Sequence, residues 1–281
     1  MKTKDIPQIQ SVYTDKAPTL RANNLPDQTK PSGIFNSNPQ ALQTPDAPKK
    51  PKLHYEPALD GLRAIAVLAV IAYHMNLPWA GGGLVGVIIF FVLSGYLITS
   101  LLLAEWRTSH TINLKNFWFG RIRRLFPAII FLILGCAIIF GILDHALLTK
   151  LRNDALPAIF SLTNWWYILQ DTSYFDALGA PSPLTHFWSL AIEEQFYLIW
   201  PILLLALLKL KAKFSWIKNI VLALAVASCA AMALMFDPTP FADPSRAYYG
   251  TDTRAFSLLI GVYLALIWPQ KAAWRKSKTE S

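Results

Sequence analysis

Apolar residues gather in six blocks along the chain, at Leu59–Leu77, Leu84–Leu103, Phe126–Leu143, Phe187–Leu208, Ile220–Phe236 and Ala255–Trp268. A helix rises 1.5 Å per residue, so about 20 apolar residues cross about 30 Å of hydrocarbon. The first five blocks match or approach that length, and the sixth is the shortest. Within lipid a single crossing segment satisfies its own backbone only as a helix. The pattern therefore predicts an all-α, polytopic transmembrane helix bundle of about six spans. Between the third and fourth blocks lies a long connection, 144–186. Its stretch Leu156–Tyr167 is apolar and aromatic, which predicts either an element at the outer interface, where Trp and Tyr favour the headgroup level, or a shallow re-entrant piece. No internal repeat is visible, so an inverted-repeat transporter finds no support in the pattern.

The polar segments alternate in charge. Residues 1–57 carry eight Lys or Arg, the 78–83 loop none, and residues 104–125 carry Arg107, Lys115, Arg121, Arg123 and Arg124. Lys209, Lys211, Lys213 and Lys218 follow the fourth block, and Lys271, Arg275, Lys276 and Lys278 follow the sixth. Cytoplasmic loops carry the excess of Lys and Arg, so both termini are expected in the cytoplasm, which requires an even number of spans. Residues 1–57 also hold nine of the 19 prolines and no sustained apolar run. They are expected to form a disordered cytoplasmic tail without a cleavable signal, and residues 269–281 a second, basic cytoplasmic tail.

Composition agrees with this arrangement. Of 281 residues 54% are hydrophobic and 15% charged, against about 25% charged in an ordinary soluble domain. The net charge of +9 is explained by topology, and no nucleic-acid partner is expected. The two cysteines, Cys136 and Cys229, lie inside apolar blocks and are expected as small core residues, with no disulfide or metal framework.

Against this background the ionisable residues within or beside the blocks stand out, because such groups usually line a cavity or pathway. The first block holds Asp60, Arg63 and His74. Arg63 and His74 are 11 residues apart, about 20° off three full turns, so they share one helix face roughly 16 Å apart along the axis. Taken singly, His74 could instead be a boundary residue with a local hydrogen bond, and Arg63 could snorkel to headgroups. In the fourth block Glu193 and Glu194 sit about two turns inside an apolar helix and point about 100° apart. One of them is expected to face a reaction cavity and the other to pair with an arginine. Ahead of the third block, Arg121 and Arg124 are one turn apart and would share a face in a helix, a geometry suited to phosphate as well as to a simple topological anchor. Small residues at Gly82, Gly86, Ser94 and Gly95 allow a helix or a ligand close to the backbone of the second span.

Several strings together resemble the membrane-bound acyltransferase-3 family. They are Leu59-Asp60-Gly61-Leu62-Arg63-Ala64 followed by His74, then Phe90-Phe91-Val92-Leu93-Ser94-Gly95-Tyr96, Arg121-Ile122-Arg123-Arg124-Leu125-Phe126-Pro127, Phe187-Trp188-Ser189-Leu190-Ala191-Ile192-Glu193-Glu194-Gln195-Phe196-Tyr197 and, more weakly, Thr251-Asp252-Thr253-Arg254-Ala255-Phe256. The resemblance covers about residues 58–268. It implies an integral membrane O-acyltransferase of the bacterial cytoplasmic (inner) membrane. Such an enzyme moves an acyl group, by default acetyl, from acyl-CoA as co-substrate to a hydroxyl of a surface glycan or lipid-linked sugar, with no bound cofactor. The chain departs from the family pattern at Ile88 and Ser257, where the family usually has Asp and Glu. The family core has about ten spans, so residues 58–268 are expected to be an incomplete domain of that kind.

Carried onto this chain, the resemblance makes Arg63, Arg121 and Arg124 the acyl-CoA-binding residues and His74 the general base on the acceptor hydroxyl, since an imidazole titrates near neutral pH. Glu193 or Glu194 would orient His74 or the sugar, with Arg254 and Ser94 on the acceptor side. Two other readings stay open at this stage. Intramembrane Arg, His and Glu also serve transporters, and a shortened family member could act as a non-catalytic assembly subunit.

Overall fold

The structure is a computed structural model that describes residues 56–175, 179–239 and 242–268, all within one compact unit spanning Lys49–Ser281. The two expected tails lie outside the described residues, apart from Glu56 and Pro57 at the edge of the first helix. The described residues form helices and no strands. They are α1 (Pro57–His74), α2 (Val85–Ser109), α3 (Leu114–Leu143), α4 (His145–Ile159), α5 (Thr163–Leu169), α6 (Phe187–Lys209), α7 (Phe214–Met235), α8 (Ser245–Tyr249) and α9 (Thr251–Ile267).

Five of these, α1, α2, α3, α6 and α7, are long and apolar enough to cross a membrane. The sixth expected span is α9, which has 17 residues and is nevertheless largely enclosed, lying between α2 and α7. Its length follows from its ends. The chain enters from the short helix α8 through Gly250, which is extended, and α9 stops at Trp268. Helix α3 is longer than its apolar block. It begins at Leu114, capped by the Asn113 side chain, which accepts from the Asn116 amide at 3.0 Å. Thirty residues rise about 45 Å, so the first turns, with Arg121, Arg123 and Arg124, belong to the same rod as the span. The 144–186 connection holds two short helices. Asp144 caps α4 by accepting from the Ala146 and Leu147 amides, and the aromatic stretch becomes the end of α4 plus α5.

Packing within the bundle rests on small residues. A Cβ placed on Gly86 would strike the Ala66 carbonyl oxygen of α1, and one on Gly95 would strike the Leu258 carbonyl oxygen of α9. From the opposite side, a Cβ on Gly261 would meet the Val92 carbonyl. Helices in lipid gain little from burying apolar surface against each other, so close van der Waals contact of this kind holds them together. Gly83 plays the part expected of Gly82, which has open space around it. Polar ties add register. The Trp200 indole donates to the Thr99 hydroxyl at 2.9 Å, joining α6 to α2, and the Ser228 hydroxyl donates to the Asp252 carbonyl at 2.5 Å, joining α7 to α9. The main apolar core runs through Ile98, Leu102, Trp200, Leu204, Val221 and Val262. The cysteines stand outside it. Cys229 is exposed on α7 and Cys136 half-buried on α3, so a thiol in an apolar block marks a lipid-facing stripe here as well as a core.

Candidate active site

The expected site residues fall into two groups at different depths. The outer group forms where α1 ends. His74 is the last residue of α1, and its Nδ1 lies 2.8 Å from the Val70 carbonyl oxygen one turn back. A carbonyl only accepts, so Nδ1 carries the proton. In the neutral ring Nε2 is then the basic nitrogen, and it lies 3.0 Å from the Tyr174 hydroxyl, which donates to it. Burial pushes the Tyr174 hydroxyl above its ordinary value, so it stays a donor. His186, just ahead of α6, packs its ring edge-on at 4.6 Å between centroids from His74. Loss of water around His186, with the neighbouring His74 as a lesser cause, holds its imidazole below the usual value. Neither glutamate is a partner of His74. The orientation expected from Glu193 or Glu194 comes from the Val70 carbonyl and Tyr174 instead.

Behind Tyr174 stands an aromatic wall. Tyr174 and Tyr248 lie 4.7 Å apart between ring centroids, and Trp188 and Tyr248 4.5 Å. Arg254 lies on the far side of this wall, with its guanidinium 4.5 Å over the Tyr248 ring and its Nε donating to the Tyr248 carbonyl at 3.1 Å. It borders a separate apolar cavity of about 360 Å³, between α7, α8 and α9.

The second group lies deeper in the bundle. Glu193 on α6 accepts from the Ser94 hydroxyl of α2 at 2.8 Å and from the Tyr197 hydroxyl at 3.3 Å. The charges of Arg121 and Arg63 both reach Glu193, and that of Arg121 reaches Glu194 too. Arg121 stacks its guanidinium 4.2 Å over the Tyr197 ring. One Glu194 oxygen, Oε1, is buried without a hydrogen-bond partner among the described residues. Arg63 also pairs with Asp60 at 3.3 Å, a half-exposed contact that contributes little to stability. The structure thus brings Arg63, Arg121, Glu193, Glu194 and Ser94 together. It places Ser94 with the glutamate rather than with His74, and leaves Arg124 exposed one turn beyond Arg121.

Three contributors were not singled out by the sequence. His186 stands one residue ahead of a recognised string, and its proximity to His74 is purely tertiary. Tyr174 sits in the non-helical stretch 170–175, where neither helix period nor motif marks it. The third is Gln195, beside the two glutamates. Its amide donates to the Ser161 carbonyl and to the Asn164 side chain, both at 2.9 Å, and its carbonyl oxygen accepts from the Thr251 hydroxyl at 2.6 Å. Asn164 in turn donates to the Tyr249 carbonyl and the Thr251 hydroxyl. This closed node fixes α5 and the start of α9 against α6, and so holds the aromatic wall in place.

The model of the acyltransferase-3 family, described as an acyltransferase domain, matches residues 56–279. The chain is 52% identical over 222 residues to the peptidoglycan O-acetyltransferase OatA of Listeria monocytogenes, an overlap of 76% of this chain and 34% of that protein. It is 49% identical over 217 residues to the putative peptidoglycan O-acetyltransferase YrhL of Bacillus subtilis, covering 77% of this chain and 34% of the relative. A putative O-acetyltransferase of Staphylococcus aureus is 46% identical over 221 residues, covering 79% and 36%. The chain therefore spans about a third of the length of these relatives. No solved structure matches it. With the family match running over both groups of polar residues and every membrane helix described above, the chain belongs to the acyltransferase-3 family.

Proposed function

We propose that this chain carries the membrane-embedded part of an O-acetyl transfer from acetyl-CoA to a hydroxyl of a cell-wall glycan. The acceptor class is taken from the relatives named peptidoglycan O-acetyltransferases. The donor rests on the arginines. Arg121, held by the Tyr197 ring and faced by Glu193, and the exposed Arg124 one turn away offer guanidinium groups to the phosphates of CoA. Arg63 stands with them. In this reading the basic segments face the bacterial cytoplasm, with this end of the bundle and both termini on that side. The pantetheine arm then runs along α1 for the roughly 16 Å that separates Arg63 from His74.

The observation that carries the reading is the 2.8 Å contact between Nδ1 of His74 and the Val70 carbonyl oxygen, from which the tautomer follows. With Nδ1–H given to the Val70 carbonyl, the lone pair of Nε2 is aimed at a hydroxyl, now that of Tyr174. An acceptor hydroxyl in that position gives its proton to Nε2 while its oxygen bonds to the thioester carbonyl carbon. The carbon–sulfur bond then breaks, and the departing thiolate takes the proton from His74, restoring the neutral ring. Glu193 and Glu194 stand beside the arginines in this scheme and take no part in the proton transfer.

The test is His74→Ala in membranes containing the chain, supplied with radiolabelled acetyl-CoA and cell-wall glycan. Removing a general base costs about 10²–10⁴-fold in rate. Unchanged transfer, with the variant inserted normally, removes His74 from the reaction. Absence of acetyl-CoA binding by the unaltered chain favours the assembly-subunit reading, and coupled ion flux without thioester cleavage favours a transporter.

A further inference from the structure

A second cleft, of about 430 Å³, lies between α4, α5 and the connection ahead of α6. That volume is within the range of small-ligand sites, about 300–1,000 Å³. Its lining combines aromatic rings, Trp166, Tyr167, Tyr174 and Tyr249, with the amides of Asn153 and Gln170. The rings are fixed from behind. Asp154 is buried and accepts from the Trp166 indole and the Tyr167 hydroxyl, both at 3.0 Å, so its carboxylate is already satisfied. Lys150 is likewise engaged, donating to the Ala180 carbonyl at 2.7 Å. The Asn153 and Gln170 side chains are exposed and hydrogen-bond to nothing among the described residues. What the cleft offers is thus rigid π-faces beside amide donors and acceptors, with the exposed Asp171 carboxylate as one more acceptor and the Lys150 ammonium tied at one N–H to the Ala180 carbonyl. An anion would face the Asp171 carboxylate as well as Lys150, and a purely apolar ligand would strand the amides. A pyranose ring fits both features, placing its C–H face on an aromatic ring and its hydroxyls on the amides.

One residue joins this cleft to the outer histidine group. Tyr174 lines the cleft and at the same time puts its hydroxyl 3.0 Å from Nε2 of His74. We propose that the cleft is the acceptor subsite, binding an uncharged pyranose unit of the glycan through Asn153, Gln170 and the aromatic rings. Tyr174 is the positioning residue that brings a hydroxyl of the bound sugar up to His74. The proposal rests on the acetyl-transfer reading for the purpose of the site, and on the cleft alone for the ligand.

The experiment uses the full chain in lipid nanodiscs, with chitopentaose as the probe and acetyl-CoA as the donor. Binding of chitopentaose is followed by tryptophan fluorescence without donor, and acetyl transfer is measured separately. The double variant Asn153→Ala/Gln170→Ala removes two exposed side chains, and its thermal midpoint is checked against the unaltered chain. Loss of two neutral hydrogen bonds is expected to weaken chitopentaose binding, and raise its KM, by about 10-fold or more, with kcat and the KM for acetyl-CoA little changed. Binding weakened in the variant with no transfer by either protein supports the subsite and overturns the acetyl-transfer reading. Transfer with the same KM for chitopentaose in both proteins overturns the subsite and leaves the transfer reading standing. No binding of chitopentaose by the unaltered chain overturns the subsite too.

Discussion

The meeting of α2 and α9 makes a sharp prediction about Gly95. A methyl group there would lie 2.9 Å from the Leu258 carbonyl carbon and 3.2 Å from its Cα, and closer still to its oxygen. Ordinary carbon contacts sit at about 3.5–4.0 Å. All three atoms are backbone, so no side chain can swing aside, and the two helix axes must part by about 1 Å. Overpacking of this kind costs about 1–3 kcal/mol. The displacement also acts on the site, because Ser94 is the neighbour of Gly95 and its 2.8 Å bond to Glu193 has little slack. Gly135 on α3 supplies the control, since nothing lies within 4 Å of a Cβ there. Replacing glycine by alanine in an open helix interior gains up to about 1 kcal/mol from propensity alone. Thermal unfolding followed by intrinsic fluorescence in one lipid or detergent should therefore give a lower midpoint for Gly95→Ala and an equal or higher one for Gly135→Ala. If the two variants unfold together, or in the reverse order, the close approach of α2 and α9 is wrong.

Three further outcomes are expected. His186 is held below its ordinary value of 6.5, so the unfolded chain takes up that proton first as pH falls. Stability should be full above about 6.5, decline below it and level off once the folded His186 is itself protonated. His186→Gln should flatten that decline in a pH series of unfolding midpoints, and an unchanged slope would place the ring in water. Gln195→Leu leaves Asn164, which is fully buried, short of a partner and should cost about 1–3 kcal/mol in the same unfolding assay; a midpoint equal to that of the unaltered chain would show the node to be idle. Arg121→Ala should weaken acetyl-CoA binding and reduce its dependence on salt, with Arg121→Lys only a partial rescue because the stack on Tyr197 is lost; titration with acetyl-CoA at two ionic strengths decides, and equal affinities return Arg121 to the role of an anchor.

How much of this could be read from the sequence depended on whether the determinant was local. The five long apolar helices follow from block length alone, because lipid leaves the backbone no alternative. Helix α9 was the hardest span to recognise, since an enclosed helix needs neither full length nor a wholly apolar face. Its stability comes from Gly95 and Gly261, whose use depends on which helix lies opposite. The common face of Arg63 and His74 follows from the helix period. The convergence of Arg63, Arg121 and Glu193 on three different helices does not, and was visible only through resemblance to a family. The outer group was half legible. His74 stands out as an ionisable residue in an apolar block. Its partners are a backbone carbonyl, a tyrosine 100 residues away in an irregular connection, and a histidine brought alongside by the way α6 meets α1.

The two groups of polar residues are built on the same pair of helices, and this constrains how the proposed reaction can be regulated. Helix α1 carries Arg63 at one depth and His74 about 16 Å further along, while His186 stands at the head of α6 and Glu193 about 10 Å below it. The offset between the two groups is therefore fixed within each helix, and only the seating of α1 against α6 remains adjustable. That seating is set by α2. Gly86 lets α1 approach it on one side, and Ser94 and Thr99 bind it to Glu193 and Trp200 of α6 on the other. A change at any of these positions should act on both ends of the corridor together, lowering transfer without selectively impairing the donor or the acceptor. A change at Tyr174, which belongs to no long helix, should act on the acceptor end alone.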